Sequence, residues 1–171
     1  MEHITLKDAA GRYFDGTGPL AAKLRQAAHK GLFSAALRMK RDIVTKVIPA
    51  KDPQPIDRGI YRAGWQVERL KDGAAVYNST PHAAMVEFGV AAARVVLSTK
   101  AHLALTEWVH RKLGYETKRA WQIAGAILHA MKARGIFARG RGLRVMEGYV
   151  ATSLPAVIRE EVERELRKVT E

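Results

Sequence analysis

The chain has 171 residues, a length typical of one domain of ordinary size. Its 29 Lys and Arg residues outnumber its 17 Asp and Glu residues, which gives a net charge of +12, and 47% of the residues are hydrophobic. A disordered basic tail is excluded, because this apolar content is enough to build a core. The cationic excess predicts an acidic partner, for which nucleic acid, an anionic membrane and an acidic protein surface are the candidates.

Cysteine is absent, which excludes disulfide frameworks, thiolate metal sites, iron–sulfur clusters and cysteine nucleophiles. The N-terminal residues lack a basic segment followed by an apolar run, and no run of apolar residues is long enough for a transmembrane helix. We therefore expect a protein that is neither exported nor inserted in a membrane.

The first half of the chain predicts an arm, a long helix and a hairpin. Residues 1–19 end in a cluster of helix breakers and predict an N-terminal arm or strand. Apolar residues at helical spacing predict an amphipathic helix from Leu20 to about Ile48, in which Gly31 marks a kink or a close helix contact. A stiff proline-rich connector, Pro49–Pro55, precedes two β-prone runs, Tyr61–Leu70 and Ala74–Asn78, which an Asp-Gly turn joins.

In the second half, the sequence predicts a short helical turn over His82–Phe88, which Gly89 stops, and a third strand over Ala93–Leu97. Three helices follow: Ala101–Leu113, Thr117–Arg134 and a last helix with start signals at Ser153 and Pro155. The predicted class is α+β, with the long N-terminal helix and the C-terminal helices packed on a small, mostly antiparallel sheet built on the hairpin. One such domain is expected over residues 20–171.

The sequence offers little chemistry for catalysis. His102 and His110 could face one side of a helix near Glu107, but without a ligand pair one turn apart a solvated or interface role is favoured over a metal site. No nucleophile elbow or phosphate-binding loop is present. Glu87 is the one acid in an apolar stretch, where a capping role or an interface ion pair is favoured over catalysis. We expect no catalytic residues, no metal and no cofactor, and hence not an enzyme.

Two segments are candidates for binding. A Gly/Arg loop with flanking cations and no acid could contact DNA or a partner, or be a solvated loop; both interpretations stay open. Its cations are Lys132, Arg134, Arg139, Arg141 and Arg144. The last helix carries a narrow apolar stripe among charges of both signs, which favours oligomer contact. The stripe comprises Ile158, Val162 and Leu166, with Val169 beyond them.

Two motif blocks carry a resemblance to a known family. The first block runs from Pro55 to Trp65 and the hairpin after it ends in Val-Tyr-Asn; the second block is His82–Gly89 and contains Val-Glu-Phe-Gly. In these blocks the chain resembles the tail-completion, or head–tail joining, proteins of tailed bacteriophages, a family of minor tail components. The motif residues are Asp57, Gly59, Arg62, Trp65, Tyr77, Asn78, Glu87 and Gly89. Arg58, Tyr61 and His82 depart from the family pattern, and residues 90–100 replace its proline-rich loop.

The resemblance implies a structural virion protein that forms a homo-oligomeric ring, with a hexamer suspected, around the DNA passage. Such a ring would join the head connector to the tail tube or tail terminator proteins, at the neck or top of the tail, after assembly in the host cytoplasm. The residues themselves leave one alternative open: a non-specific DNA-binding protein that uses the basic first helix and the Gly/Arg loop.

Overall fold

The structure is a computed structural model, and it describes residues 18–51, 59–136 and 142–170. The described chain is mainly helical with one small sheet, so the predicted α+β class is confirmed. Its elements in chain order are α1 Pro19–Asp42, a π-helical turn Ile43–Val47, α2 Ile60–Ala63, β1 Trp65–Leu70, β2 Gly73–Asn78, α3 Ala83–Phe88, a 3₁₀ turn Ala92–Arg94, α4 Thr99–Leu113, α5 Thr117–Arg134, α6 Val145–Thr152 and α7 Leu154–Thr170.

The chain divides into two compact units. The first comprises the described parts of Met1–Ala50, Ile56–Ser79 and Met146–Glu171, and the second those of Lys51–Pro55 and Thr80–Val145. Helix α1, the hairpin and α7 belong to the first unit, and α3 to α5 belong to the second. Both units fall within the range expected to form one domain, and that expectation stays a prediction. The predicted N-terminal arm lies outside the described residues, apart from its last two positions.

Helix α1 is the central element of the first unit, where it packs on α7 and on both strands. Its buried residues Ala27, Gly31, Ala35 and Met39 follow one another at intervals of four, so they form a ridge of mostly small side chains along one face. A Cβ atom built on Gly31 would lie 2.6 Å from the Cα atom of Val162 in α7. Gly31 therefore marks a close helix contact, one of the two roles expected for it.

The helical path of α1 continues through a single π turn, as expected for a helix reaching about Ile48. The amide of Ile48 donates to the carbonyl of Ile43 at 2.9 Å, five residues earlier. Both isoleucine side chains are fully buried. The wider turn thus places two apolar anchors inside the first unit at the end of α1.

Strands β1 and β2 form an antiparallel hairpin, which is the whole sheet of the described residues. Leu70 pairs with Gly73, so the loop consists of two residues. The first strand begins at Trp65 and not at Tyr61, where the sequence analysis starts its β-prone run. Residues before Trp65 form α2 instead, because Gly59 takes a left-handed φ of 71° that turns the chain into a helical conformation.

Helices α4 and α5 pack together in the second unit around Val109, Ala120 and Ala124, all of which are fully buried. The Ser98 hydroxyl accepts a hydrogen bond from the amide of Ala101 at 3.1 Å and so caps the start of α4. Gly114 ends the helix with a φ of 72°. Both helices were predicted, and α5 has the predicted bounds.

The predicted third strand over Ala93–Leu97 is wrong. Residues 92–94 form a 3₁₀ turn, in which the amides of Arg94 and Val95 donate to carbonyls three residues earlier. Only Val90, before that turn, makes an isolated antiparallel bridge, with Ile136. The local turn uses the backbone donors that a strand would have offered to the sheet. Helix α6 was not predicted, because its eight residues are too few to display a clear period.

The Gly31 contact predicts opposite effects of alanine at two helical glycines. Gly31→Ala should lower the free energy of unfolding by about 2 kcal/mol, because the crowding of α7 outweighs the gain of about 1 kcal/mol in helix propensity. Gly148→Ala in α6 should raise it by up to about 1 kcal/mol, since nothing lies within 4 Å of its added Cβ atom. Urea unfolding of both variants tests the pair, and a stabilising Gly31→Ala would contradict the close contact.

Candidate functional site

The first motif block braces the base of the hairpin. Trp65 is buried and makes an edge-to-face contact with Tyr61, with 5.9 Å between the ring centroids. The side-chain amide of Asn78 donates to the carbonyl of Tyr61 at 2.8 Å, which ties β2 to α2. Arg62 and Tyr77 are exposed. Asp57 lies outside the described residues.

The second motif block holds the start of α6. The Glu87 carboxylate accepts a hydrogen bond from the amide of Val145, the first residue of that helix, at 2.8 Å. An acceptor at this position satisfies one of the amides that a helix start leaves unpaired. Gly89 ends α3 with a φ of 71°. Glu87 therefore has the capping role that the sequence analysis favours for it, but the capped helix begins 58 residues later.

The backbone reinforces the same junction. The amide of Leu143 donates to the carbonyl of Val86 at 2.8 Å, and the amide of Arg144 donates to the carbonyl of Glu87 at 3.1 Å. Gly142 has a φ of 78°, and a Cβ atom there would collide with the Glu87 carbonyl. The junction between the end of α3 and the start of α6 therefore requires a glycine at position 142. Gly142 belongs to the predicted Gly/Arg loop, and the glycine itself is the sequence signal of the close approach.

The cations around the Gly/Arg loop have different environments. The Lys132 ammonium donates to the carbonyl of Val95 at 2.8 Å and so holds the segment that follows the 3₁₀ turn. Arg134 is exposed in the last turn of α5, and Arg144 is exposed with an unusual positive φ of 46°. Arg139 and Arg141 lie outside the described residues. Of the cations that the structure places, Lys132 is thus engaged by a backbone carbonyl, while Arg134 and Arg144 are on the surface.

The histidines considered as metal ligands have other partners. A ring N–H of His102 donates to the carbonyl of Trp121 at 2.8 Å, and the two rings stack with 3.8 Å between centroids. A ring N–H of His110 donates to the carbonyl of Tyr115 at 2.6 Å. Within the described ranges, no group of three or more His, Asp or Glu side chains is arranged to bind a metal ion. These histidines instead link the backbones of neighbouring segments.

A buried acid in the first unit has a shifted pKa. Burial alone would raise the pKa of Asp42, but hydrogen bonds from Lys46 and from the Tyr149 hydroxyl outweigh it and lower the pKa. The Tyr149 hydroxyl donates to Asp42 at 3.0 Å, and the Lys46 ammonium lies 3.0 Å from the same carboxylate. Burial and the contact with Asp42 raise the pKa of Tyr149 to about 12. The cluster ties α1 to α6 and provides no nucleophile.

Ion pairs join α1 to α7. The Arg38 guanidinium lies 2.6 Å from the Glu160 carboxylate and 3.3 Å from that of Glu161, whose side chain is buried. The stripe of α7 assigned to oligomer contact, Ile158, Val162 and Leu166, is half-buried within the chain. Val162 faces Gly31 of the same molecule. Its part in an oligomer stays a prediction.

A cationic groove lies in the first unit between α1 and the turn of the hairpin. Helix α1 contributes Arg25, His29 and Lys30, and the hairpin contributes Arg69 and Lys71. The Arg69 guanidinium lies over the Phe33 ring, 4.4 Å from its centroid. The groove has a volume of about 450 Å³, and none of the described residues that line it is acidic. Cations on the first helix were predicted from the sequence, but the position of the hairpin turn beside them was not.

An apolar groove lies in the second unit, also with a volume of about 450 Å³. Its walls include Met85, Val95, Leu105, Trp108 and Met131. Large apolar side chains of the same unit are strongly exposed: Val96 by 76%, Phe88 by 66% and Leu103 by 56%. Apolar surface of this kind is typical of proteins that assemble with others.

Comparison of the chain with protein-family models, with curated proteins and with solved structures finds no match. The helices of the described segments are each too short or too polar to cross a bilayer.

The junction at Gly142 predicts a larger cost of alanine there than at another left-handed glycine. Gly114→Ala has open space around it and should cost about 1 kcal/mol, the ordinary price of a left-handed φ. Gly142→Ala has the same φ penalty and also displaces the Glu87 backbone, so it should cost about 1–3 kcal/mol more. Denaturant unfolding followed by circular dichroism compares them, and equal costs would argue against the close approach.

The Asp42 cluster predicts a pH-dependent effect of Tyr149→Phe. The variant should lose about 1–3 kcal/mol of stability at neutral pH, because the buried carboxylate loses a donor. The folded pKa of Tyr149 lies above that of an unfolded tyrosine, about 10, so its contribution is complete below pH 10 and is lost as the pH rises through about 12. Unfolding of both proteins from pH 7 to 12 should show their difference shrinking above pH 10. A difference that stays constant over that range would contradict the assigned hydrogen bond.

Proposed function

We propose that this protein is a structural assembly protein of a tailed phage, forming a homo-oligomeric ring that joins the head connector to the tail. The two motif blocks suggest this family, and a hexamer is the expected ring. The proposal places the protein at the virion neck or the top of the tail. Its neighbours there are the head connector and the tail tube or tail terminator proteins.

The observation that carries the proposal is the exposed apolar surface of the second unit. Val96 is 76% exposed and Met85 is 40% exposed, and both side chains line a groove with apolar walls. Covering such surface contributes roughly 25 cal/mol for each Å² removed from water, so a second protein on this face would stabilise an assembly. In a ring, that second protein is the neighbouring copy of the chain.

The motif residues support a structural role as well. Trp65, Asn78 and Glu87 fasten the hairpin base and the start of α6 through packing and hydrogen bonds. Fixed junctions of this kind hold a surface in one shape, which a protein needs when it must fit several neighbours at once.

A charge placed on the apolar face should prevent ring formation. Met85→Asp adds a carboxylate to that face, whereas Leu37→Asp places one on an exposed leucine of α1 in the first unit. Both residues are in helices, so the cost in helix propensity is similar. Native mass spectrometry and negative-stain imaging of the purified proteins should show closed rings for the unsubstituted protein and for Leu37→Asp, and monomers for Met85→Asp.

Two results would contradict the proposal. One is an unsubstituted protein that stays monomeric at high concentration and is missing from purified particles. The other is a Met85→Asp variant that forms rings as readily as Leu37→Asp, which would show that the apolar face is not a contact of the ring.

The second candidate function is non-specific DNA binding. The cationic groove of the first unit favours it, because Arg25, Lys30, Arg69 and Lys71 line a cleft in which no described lining residue is acidic. This function is compatible with the ring, since a neck protein would surround DNA.

A further inference from the structure

We propose that the cationic groove between α1 and the hairpin turn binds the phosphodiester backbone of nucleic acid. The inference rests on the second candidate function and does not depend on ring formation. It moves the binding site from the Gly/Arg loop to a place where the fold itself brings cations together.

The helix side of the groove follows from helical spacing. Arg25 and His29 are four residues apart, so they lie one above the other on the same face of α1, with Lys30 beside them. The buried ridge at Ala27 and Gly31 occupies a different face. The helix can therefore pack on α7 while it presents its cations to a ligand.

The hairpin side follows from the two-residue loop. Lys71 is one of the two loop residues, and Arg69 is the last residue but one of β1. Phe33 of α1 lies beneath the Arg69 guanidinium, and this contact restrains the cation. A restrained guanidinium loses less conformational freedom when it donates two hydrogen bonds to a phosphate.

The described acids close to the groove lie outside its lining. Glu165 of α7 is close enough to Lys30 to feel its charge, but its carboxylate lies 2.6 Å from the Lys168 ammonium. Glu68 and Asp72 are neighbours of the hairpin cations in the chain and do not line the groove. The lining residues that the structure describes therefore carry a net positive charge.

The composition of the groove favours nucleic acid over an acidic protein. Protein interfaces are depleted in lysine and depend on buried apolar or aromatic anchors. This groove has two lysines, and its aliphatic lining consists of Ala22 and Leu70. Phosphate binding needs cations on an accessible surface and no such anchor.

The test compares two triple variants that remove the same charge. The groove variant carries Arg25→Gln, Lys30→Gln and Lys71→Gln and leaves the Arg69–Phe33 contact intact. The control variant carries Lys112→Gln, Lys118→Gln and Arg119→Gln, three exposed cations of α4 and α5. Circular dichroism and thermal unfolding establish that both variants fold as the unsubstituted protein does.

Fluorescence anisotropy with a short DNA duplex, at salt concentrations from about 50 to 200 mM, gives the affinity and its salt dependence. The groove variant should bind at least about tenfold more weakly, and the slope of log K against log salt should become shallower by about 2.7, or 0.9 for each lost phosphate contact. The control variant should keep most of the affinity and a slope close to that of the unsubstituted protein.

Equal losses in the two variants would overturn the site, since net charge alone would then explain binding. No binding of the unsubstituted protein at 50 mM salt would overturn both the site and the second candidate function, and ring formation would be unaffected. Polyglutamate is the counter-probe. A groove variant that loses affinity for polyglutamate and keeps its affinity for DNA would show that the groove docks an acidic protein, and would overturn the proposal.

Discussion

The close approach of α1 to α7 at Gly31 is the constraint on which the first unit depends. With no side chain between the two backbones, Arg38 reaches the carboxylates of Glu160 and Glu161 from the next turns of α1. A wider separation would remove the α1 cation from the buried Glu161 carboxylate and leave it with Arg164 of its own helix as its ion-pair partner. Two features thus specify how α1 packs on α7. Gly31 lacks a Cβ atom and lets the helices come close, and the ion pairs of Arg38 form only at that short distance.

Much of this fold could be predicted from the sequence, because its longer helices have regular apolar spacing and clear ends. Helix α5 has the predicted bounds, and Gly114 and Gly89 end their helices as expected. The prediction of a third strand is wrong because a short run of Val, Ala and Arg fits a strand and a 3₁₀ turn equally well. Two contacts distinguish the turn: the amides of Arg94 and Val95 bond within it, and the Lys132 ammonium, 37 residues further along the chain, donates to the Val95 carbonyl.

The candidate sites were harder to predict because they depend on contacts between distant segments. Sequence alone identified a basic first helix, but the groove needs the hairpin turn to lie beside Arg25 and Lys30. Likewise, Lys132 counts as a loop cation in the sequence, yet its ammonium serves a backbone carbonyl. A count of cations along the sequence therefore overestimates the positive charge that a ligand would meet near Lys132. The same count underestimates the positive charge that it would meet at the cationic groove.

The anchoring of Val90, Glu87 and their partners has a consequence for how this protein can diversify. Ile136 is bridged to Val90, and the amides of Leu143, Arg144 and Val145 are bonded to Val86 and Glu87 at the end of α3. A substitution that shifts the end of α3 therefore displaces backbone as much as 58 residues further along the chain. Sequence change on one side of these bonds is accordingly limited by the other side, and the two segments are expected to vary together.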